Sequence, residues 1–304
     1  MTAIFRIGLI GAGRMGRTHL RAIAASDRVR VVAVTEPVAA IRSELDAPGL
    51  AVHADLDTML HAGGLDGVLV VAPSTRHLDI VTRVAAAGLP ILCEKPCGIT
   101  SAQASRAADI AAASGIPLQV AYWRRYVPAL RRLHDRIAAG ELGKIYFVAC
   151  YQWDAAPPSP AFRANSGGIF VDMGVHEFDQ IRWLTGQDFL QLQAVSATVG
   201  TEEMPAGATE SAQVLCTLSG GSTALVSLGQ SFPRGDVCYV EAFGTRDAEE
   251  VRFLWPPTAD ETFFDALRRQ AEAFADHVGG SPTDSATASD AVAALRAAEQ
   301  AAAQ

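Results

Sequence analysis

The chain has 304 residues, 49% of them hydrophobic, and a net charge of −8. That length is enough for two domains of ordinary size, and the apolar content excludes a mainly disordered chain. The excess of acid over base argues against a nucleic-acid partner, which needs a basic patch, and small neutral or cationic ligands fit it better.

The five cysteines, Cys93, Cys97, Cys150, Cys216 and Cys238, contain no C-x-x-C pair. An odd number spread this widely is not a disulfide framework, so reduced thiols in a cytoplasmic protein are expected. The N-terminal apolar run lacks a basic n-region and a cleavage site, and no stretch reaches the length of a membrane span.

In chain order, Ile4 to Ile10 predicts a central parallel strand buried on both faces. Gly11-Ala12-Gly13-Arg14-Met15-Gly16 follows directly, and then a helix from Arg17 to about Ala25. This is G-x-G-x-x-G in its required setting. Gly11 permits the turn, Gly13 lets backbone approach a pyrophosphate, and Gly16 lets the helix pack close to the sheet. The helix N-terminus offers N–H groups to phosphate. Val29 to Thr35 is the second strand, and Glu36 at its end is placed to bind the ribose hydroxyls of NAD. Its charge disfavours NADP, although Arg14 and Arg42 could soften that repulsion.

Leu65 to Ala72 is a further strand, and Pro73-Ser74-Thr75-Arg76-His77 opens a helix with Ser74 or Thr75 as its N-cap. Loops at the carboxyl ends of parallel strands hold ligands, which makes Pro73, Ser74, Thr75 and His77 candidate cofactor contacts. Pro90 to Cys93 is the next strand, ended by Glu94-Lys95-Pro96. The lysine and glutamate there face a cofactor cleft, and the Lys95–Pro96 bond is a candidate for cis geometry. A helix over Thr100 to Ser114 and a strand over Ile116 to Ala121 complete this half near Tyr122.

Trp123-Arg124-Arg125-Tyr126-Val127-Pro128 leads into a helix through Ala139. Its aromatics and arginines suit a ligand wall or plain packing between domains, and both readings stand. Lys144 to Tyr151 alternates as a strand. Pro157, Pro158 and Pro160 then predict a long loop through Asn165. Gly167-Gly168 introduces an apolar stretch carrying Asp172, His176 and Asp179. If it is helical, Asp172 and His176 lie one turn apart on one face, as a proton-transfer pair would. The alternative there is a satisfied core histidine. Four alternating runs follow, Leu190 to Gly200, Ser211 to Leu218, Thr223 to Leu228 and Val237 to Phe243. They predict an open antiparallel sheet with one face covered. Phe263, Phe264, Leu267, Ala271, Phe274, Ala275 and Val278 recur at helical spacing, and an Ala-rich helix runs from Ser289 to the end.

On G-A-G-R-M-G at 11–16, P-S-T-R-H at 73–77, E-K-P at 94–96 and G-G-x-x-x-D-x-G-x-H-x-x-D at 167–179, the chain resembles the glucose–fructose oxidoreductase / inositol dehydrogenase / MocA-like family of NAD(P)-dependent oxidoreductases. The resemblance covers nearly the whole chain. It implies an α/β fold with a Rossmann dinucleotide-binding domain over 1–122. An α+β domain over 123–304 follows, with a large open, mostly antiparallel sheet for substrate binding and oligomerisation; its final helix could pack back on the first domain. It also implies hydride transfer with a sugar, a cyclitol such as myo-inositol, or a related alcohol. Lys95, Asp172 and His176 match the family's catalytic residues. Trp123, Arg124 and Arg163 match segments near its substrate. NAD is the expected cofactor, NADP the less favoured one, and a homodimer or homotetramer through the open sheet the expected assembly.

Three other readings remain open. A metal site from Asp172, His176 and Asp179 is conceivable on ligand type, but no second ligand cluster accompanies it, so no metal is expected. The cofactor could stay bound while the net reaction is glycoside cleavage. The chain could also be a non-catalytic NAD(H)-binding redox sensor, although a sensor has no need of a proton relay.

Overall fold

The structure, a computed structural model, describes residues 3–45, 47–198, 209–256 and 258–304. Its chain folds as two compact units. One is the chain up to Trp123 with Phe264–Val292, and the other is Arg124–Phe263 with Ala293–Gln304.

In the first unit, β1 (Phe5–Ile10), α1 (Arg14–Ile23), β2 (Val29–Thr35), α2 (Ala39–Arg42), β3 (Ala51–His53), α3 (Leu56–Ala62), β4 (Gly67–Val70), α4 (His77–Ala86), β5 (Ile91–Cys93), α5 (Ser101–Ala113) and β6 (Leu118–Val120) alternate. All six strands pair in parallel, in the order β3-β2-β1-β4-β5-β6. The order reverses between β1 and β4, and sheets of this type bind ligands at such a switch point. Continuous apolar strands are what burial on both faces requires. Ile7 and Leu9 of β1 pack with Val34, Leu69, Leu92 and Phe274 in one fully buried cluster. Phe274 belongs to α9 (Ala259–Val278), whose ring meets Phe5 edge-on at 5.8 Å. Thr100 caps α5 by accepting from Gln103 N–H. Elements α2, β3 and α3 have no counterpart among the sequence expectations, because a three-residue strand and helices of four and seven residues carry too few residues to show a period.

The second unit holds α6 (Pro128–Ala138), β7 (Ile145–Trp153), α7 (Pro160–Ser166), α8 (Val175–Thr185), β8 (Phe189–Ala197), β9 (Ser211–Leu218), β10 (Thr223–Gly229), β11 (Val237–Gly244) and β12 (Ala248–Leu254). The terminal α10 (Ala288–Ala302) ends in it. The sheet order is β12-β11-β7-β10-β9-β8. Four pairings are antiparallel, but β7 and β10 run parallel, so the sheet is mixed. The long excursion between β7 and β10, with two helices and a hairpin, lets the chain return in the same direction. Strand β8 ends at Ala197, one residue before the described segment ends, and residues 199–200 of the expected run lie outside the described residues.

The loop expected through Asn165 is overturned. Residues 160–166 are a helix, α7, where three prolines predicted loop. Pro160 occupies its first turn, where a missing N–H costs nothing, and the Ser159 side chain accepts from Phe162 N–H.

Candidate active site

The first unit supplies a glycine cradle. Helix α1 starts at Arg14, and Gly13 occupies its N-cap with no side-chain cap, so the first-turn N–H groups are left for a ligand. A Cβ on Gly13 would meet nothing within 4 Å, whereas a Cβ on Gly16 would stand 2.1 Å from the Gly11 carbonyl oxygen. Gly16 therefore allows helix and strand to touch, and Gly13 leaves the room that a diphosphate needs. These features fit a dinucleotide.

Glu36 stands at the end of β2 and is 5% exposed. Its Oε2 accepts from Ala12 N–H at 2.8 Å and its Oε1 from Val38 N–H at 2.9 Å. One carboxylate thus ties the glycine loop to the neighbouring strand end, and each oxygen keeps a further lone pair. Arg42 donates to the Glu36 and Pro37 carbonyl oxygens, which turns its guanidinium toward the backbone of this loop.

After β4, Pro73 leads into a 3₁₀ turn, Ser74–Arg76, and α4 starts only at His77. Neither Ser74 nor Thr75 caps α4: Arg76 holds that position and makes no side-chain cap. The 3₁₀ turn displaces the helix start by two residues. His77 is turned inward, with Nδ1 2.8 Å from the Pro96 carbonyl oxygen and Nε2 2.8 Å from that of Ala72. Burial pushes its imidazole pKa down.

Lys95 follows β5, and its bond to Pro96 is cis. Beside it, Glu94 Oε2 accepts from Lys95 N–H at 3.0 Å and Glu94 Oε1 from His19 Nε2 at 2.7 Å. Burial would push the Glu94 carboxyl up, but the hydrogen bond from His19 and the charge of Lys95 hold it below the usual carboxylate range. His19, on α1, was not among the sequence candidates. A single histidine on an amphipathic helix reads as core, and no local spacing marks it.

The second unit carries the Asp/His stretch. Gly167 ends α7 in the left-handed conformation, where a Cβ would lie 2.9 Å from Val171, and Gly168 is left-handed as well. The chain then makes a π turn over Phe170–Gly174 before α8 begins. Asp172 sits in that wider turn and His176 in the first turn of α8, and π turns of this kind are frequent at functional sites. Asp172 N–H donates to the Gly168 carbonyl. His176 is buried and Asp172 half-buried.

The arginines next to Trp123 brace α8. Arg124 donates to Glu177, to Gln180 and to Gln152. Arg125 grips Asp179 through Nε at 3.0 Å and Nη2 at 2.5 Å. Burial pushes the Glu177 carboxyl up, with Arg124 opposing. Asp179 is thus paired with a guanidinium inside the second unit. Trp123 is buried. Arg163, on α7, lines a cavity of about 880 Å³ with Gly167, Gly168, Phe170 and Gln230.

Comparison with known proteins decides the family. Residues 5–122 match the model of the oxidoreductase family with an NAD-binding Rossmann fold, and residues 130–248 match the GFO/IDH/MocA C-terminal domain. The chain belongs to the GFO/IDH/MocA oxidoreductase family. As a member, it is an NAD-binding oxidoreductase. It is 50% identical to the rhizopine catabolism protein MocA of Rhizobium meliloti over 98% of this chain and 94% of that one. It is 29% identical to the inositol 2-dehydrogenase of Rhizobium meliloti strain 1021 over 80% of this chain and 74% of that one. Among solved structures, a myo-inositol dehydrogenase from Corynebacterium glutamicum shares the fold with a TM-score of 0.90 at 24% identity, covering 99% of this chain and 96% of that one. No described helix is long and apolar enough to cross a membrane.

Proposed function

We propose that this GFO/IDH/MocA member is an NAD-dependent dehydrogenase that oxidises a secondary hydroxyl of a cyclitol to the ketone. The observation that carries the reading is Asp172 and His176, four residues apart across the π turn and the start of α8. The cyclitol class is supported by relatives named inositol 2-dehydrogenase. NAD, when bound, supplies the hydride acceptor.

The chain's own residues handle the proton and the charge. His176 takes the hydroxyl proton, and Asp172 orients its imidazole. The Lys95 ammonium stabilises the alkoxide as it develops, a role for which a preorganised positive charge in a water-poor site is well suited. Gly11, Ala12, Gly13, Arg14, Met15 and Gly16 with Glu36 hold the dinucleotide, and residues 73–75 and 94 border it. Trp123, Arg124 and Arg163 complete the substrate-side set, with Arg124 acting through Glu177. The buried, reduced cysteines suit a cytoplasmic protein. The open face of the second sheet joins two copies, as a dimer or a pair of dimers.

The test is NADH formation from NAD across myo-inositol, scyllo-inositol, other cyclitols and simple sugars, with product analysis on glycosides beside it. Turnover on a cyclitol with release of free NADH is the expected result. Turnover only on glycosides, with no free NADH, would replace the reading with glycoside cleavage. Tight NAD binding without turnover on any of them would replace it with a sensor.

A further inference from the structure

Lys95 is gripped through its backbone by a buried pair of side chains to which the hydride-transfer reading assigns no part in moving the proton or the hydride. His19 is 1% exposed and Glu94 7% exposed. Glu94 spends one carboxylate oxygen on His19 Nε2 and the other on the main-chain N–H of Lys95. Its own N–H donates to the Val70 carbonyl, which fixes it to the end of β4. On the far side of Lys95, the Pro96 carbonyl accepts from Gly98 N–H and lies 2.8 Å from His77 Nδ1. The residue is thus held on both flanks inside the first unit.

The pair is a costly way to fill space. A buried ion-paired or hydrogen-bonded polar couple is often no more stabilising than apolar side chains of the same volume. His19 adds to the cost, because its Nδ1 is buried with no hydrogen-bond partner. What the pair provides is geometry. Helix α1 presents the open N-terminal turn at Gly13 and, six residues on, His19. A helix of this length is rigid, so the element that receives the diphosphate also sets the backbone of Lys95.

We propose that His19 and Glu94 are positioning residues that fix Lys95 relative to the diphosphate-binding end of α1. The proposal rests on the reading of Lys95 as catalytic. Neither residue touches substrate; both act through the main chain of Lys95. Misplacing a catalytic group by about 1 Å costs on the order of 10²-fold in rate. His19→Leu, which keeps bulk and removes the donor, is therefore expected to lower kcat by about 10²-fold. NAD affinity and substrate KM stay within a few-fold of wild type.

The experiment measures kcat, KM, NAD affinity and thermal unfolding for His19→Leu, His19→Gln and Lys95→Ala, and for the double variant His19→Leu/Lys95→Ala. Gln can place an amide N–H where Nε2 stands, so His19→Gln is expected to recover most of kcat. In the double variant, loss of His19 is expected to add nothing to the loss of Lys95. A histidine that merely stabilised the fold would lower kcat, NAD affinity and melting temperature together, and glutamine would not rescue kcat. If His19→Leu does not fold, Glu94→Gln replaces it in the same cycle.

The outcomes separate the two readings. Lys95→Ala with turnover within a few-fold of wild type would remove Lys95 from catalysis, and the positioning role with it. Inactive Lys95→Ala beside His19→Leu of near-normal kcat, or additive losses in the double variant, would overturn the positioning role alone.

Discussion

Arg124 and Glu177 form an ion pair with 3% and 0% of their side chains exposed, directly after His176 in the chain. A guanidinium in this setting is a brace for α8. Removing one partner strands the other charge in an apolar surround, which typically costs about 3–5 kcal/mol. Arg124→Met is expected to lose roughly that much, and Arg124→Met with Glu177→Leu to regain most of it. Urea unfolding of the two variants reads this directly. A loss below about 1 kcal/mol in the single variant, the size of an exposed pair, would mean the couple is solvated.

Gly13 and Gly16 have opposite reasons to be glycine, and alanine separates them. At Gly16 the new Cβ would meet the Gly11 carbonyl oxygen at 2.1 Å, so Gly16→Ala is expected to lower the melting temperature and NAD affinity together. At Gly13 nothing lies within 4 Å, so Gly13→Ala is expected to fold normally and to weaken NAD binding alone. Thermal unfolding with and without NAD checks both. Unchanged NAD affinity in Gly13→Ala would put the diphosphate elsewhere.

Glu94 carries a signed pH dependence. Its folded pKa lies below the ordinary glutamate value, so the folded state binds the proton less tightly than the unfolded chain. Its stabilising contribution is therefore complete above that value and is lost as pH falls through the folded one. The stability gap between wild type and Glu94→Gln is expected to be largest near neutral pH and to shrink by about pH 3. A gap that stays constant on acidification would show that the carboxyl is not held low.

Burial sets the chemistry of the thiols. All five cysteines are buried and unbridged, and burial alone pushes Cys216 up to about 12. The thiolate is the nucleophile, so a disulfide reagent at neutral pH is expected to find no fast-reacting thiol in the native protein and all five after unfolding. A fast native thiol would mark a segment that opens readily.

What could be read from residues alone follows the range of the interactions. The glycine loop, Glu36 and the Glu94-Lys95-Pro96 turn are local signals, each lying between a strand and the element after it. The spacing of Asp172 and His176 is legible in the sequence, although the π turn beneath them is not, since a single widened turn carries no periodic signal of its own. His19 was missed because its partner is 75 residues away. The pairing of Arg124 with Glu177 is likewise not legible locally, since the two residues are 53 positions apart. Helix α7 was hidden by proline count, even though Ser159-Pro160 is a helix-start pattern. The parallel β7–β10 pair rests wholly on tertiary pairing, which no period within a strand encodes.

The open face of the second sheet gives the last prediction. Cross-strand register places Leu215 of β9 beside Leu225 of β10 and Gln193 of β8, and continues through Ala149 to Glu241 of β11. On that face Tyr151 and Tyr239 stack at 4.1 Å and Phe147 and Phe243 meet at 5.7 Å. Leu215 is 58% exposed and Val195 67% exposed. Large apolar side chains at the outer strands of an aromatic sheet face suit symmetric pairing of two copies, which would bury them. The wild-type chain is expected to sediment as a dimer or a tetramer, and Leu215→Glu, which places a carboxylate against its own symmetry mate's apolar surface, to shift it to smaller species while NAD still binds. An unchanged sedimentation profile in Leu215→Glu would move the interface to another face, and a wild-type monomer at micromolar concentration would remove it.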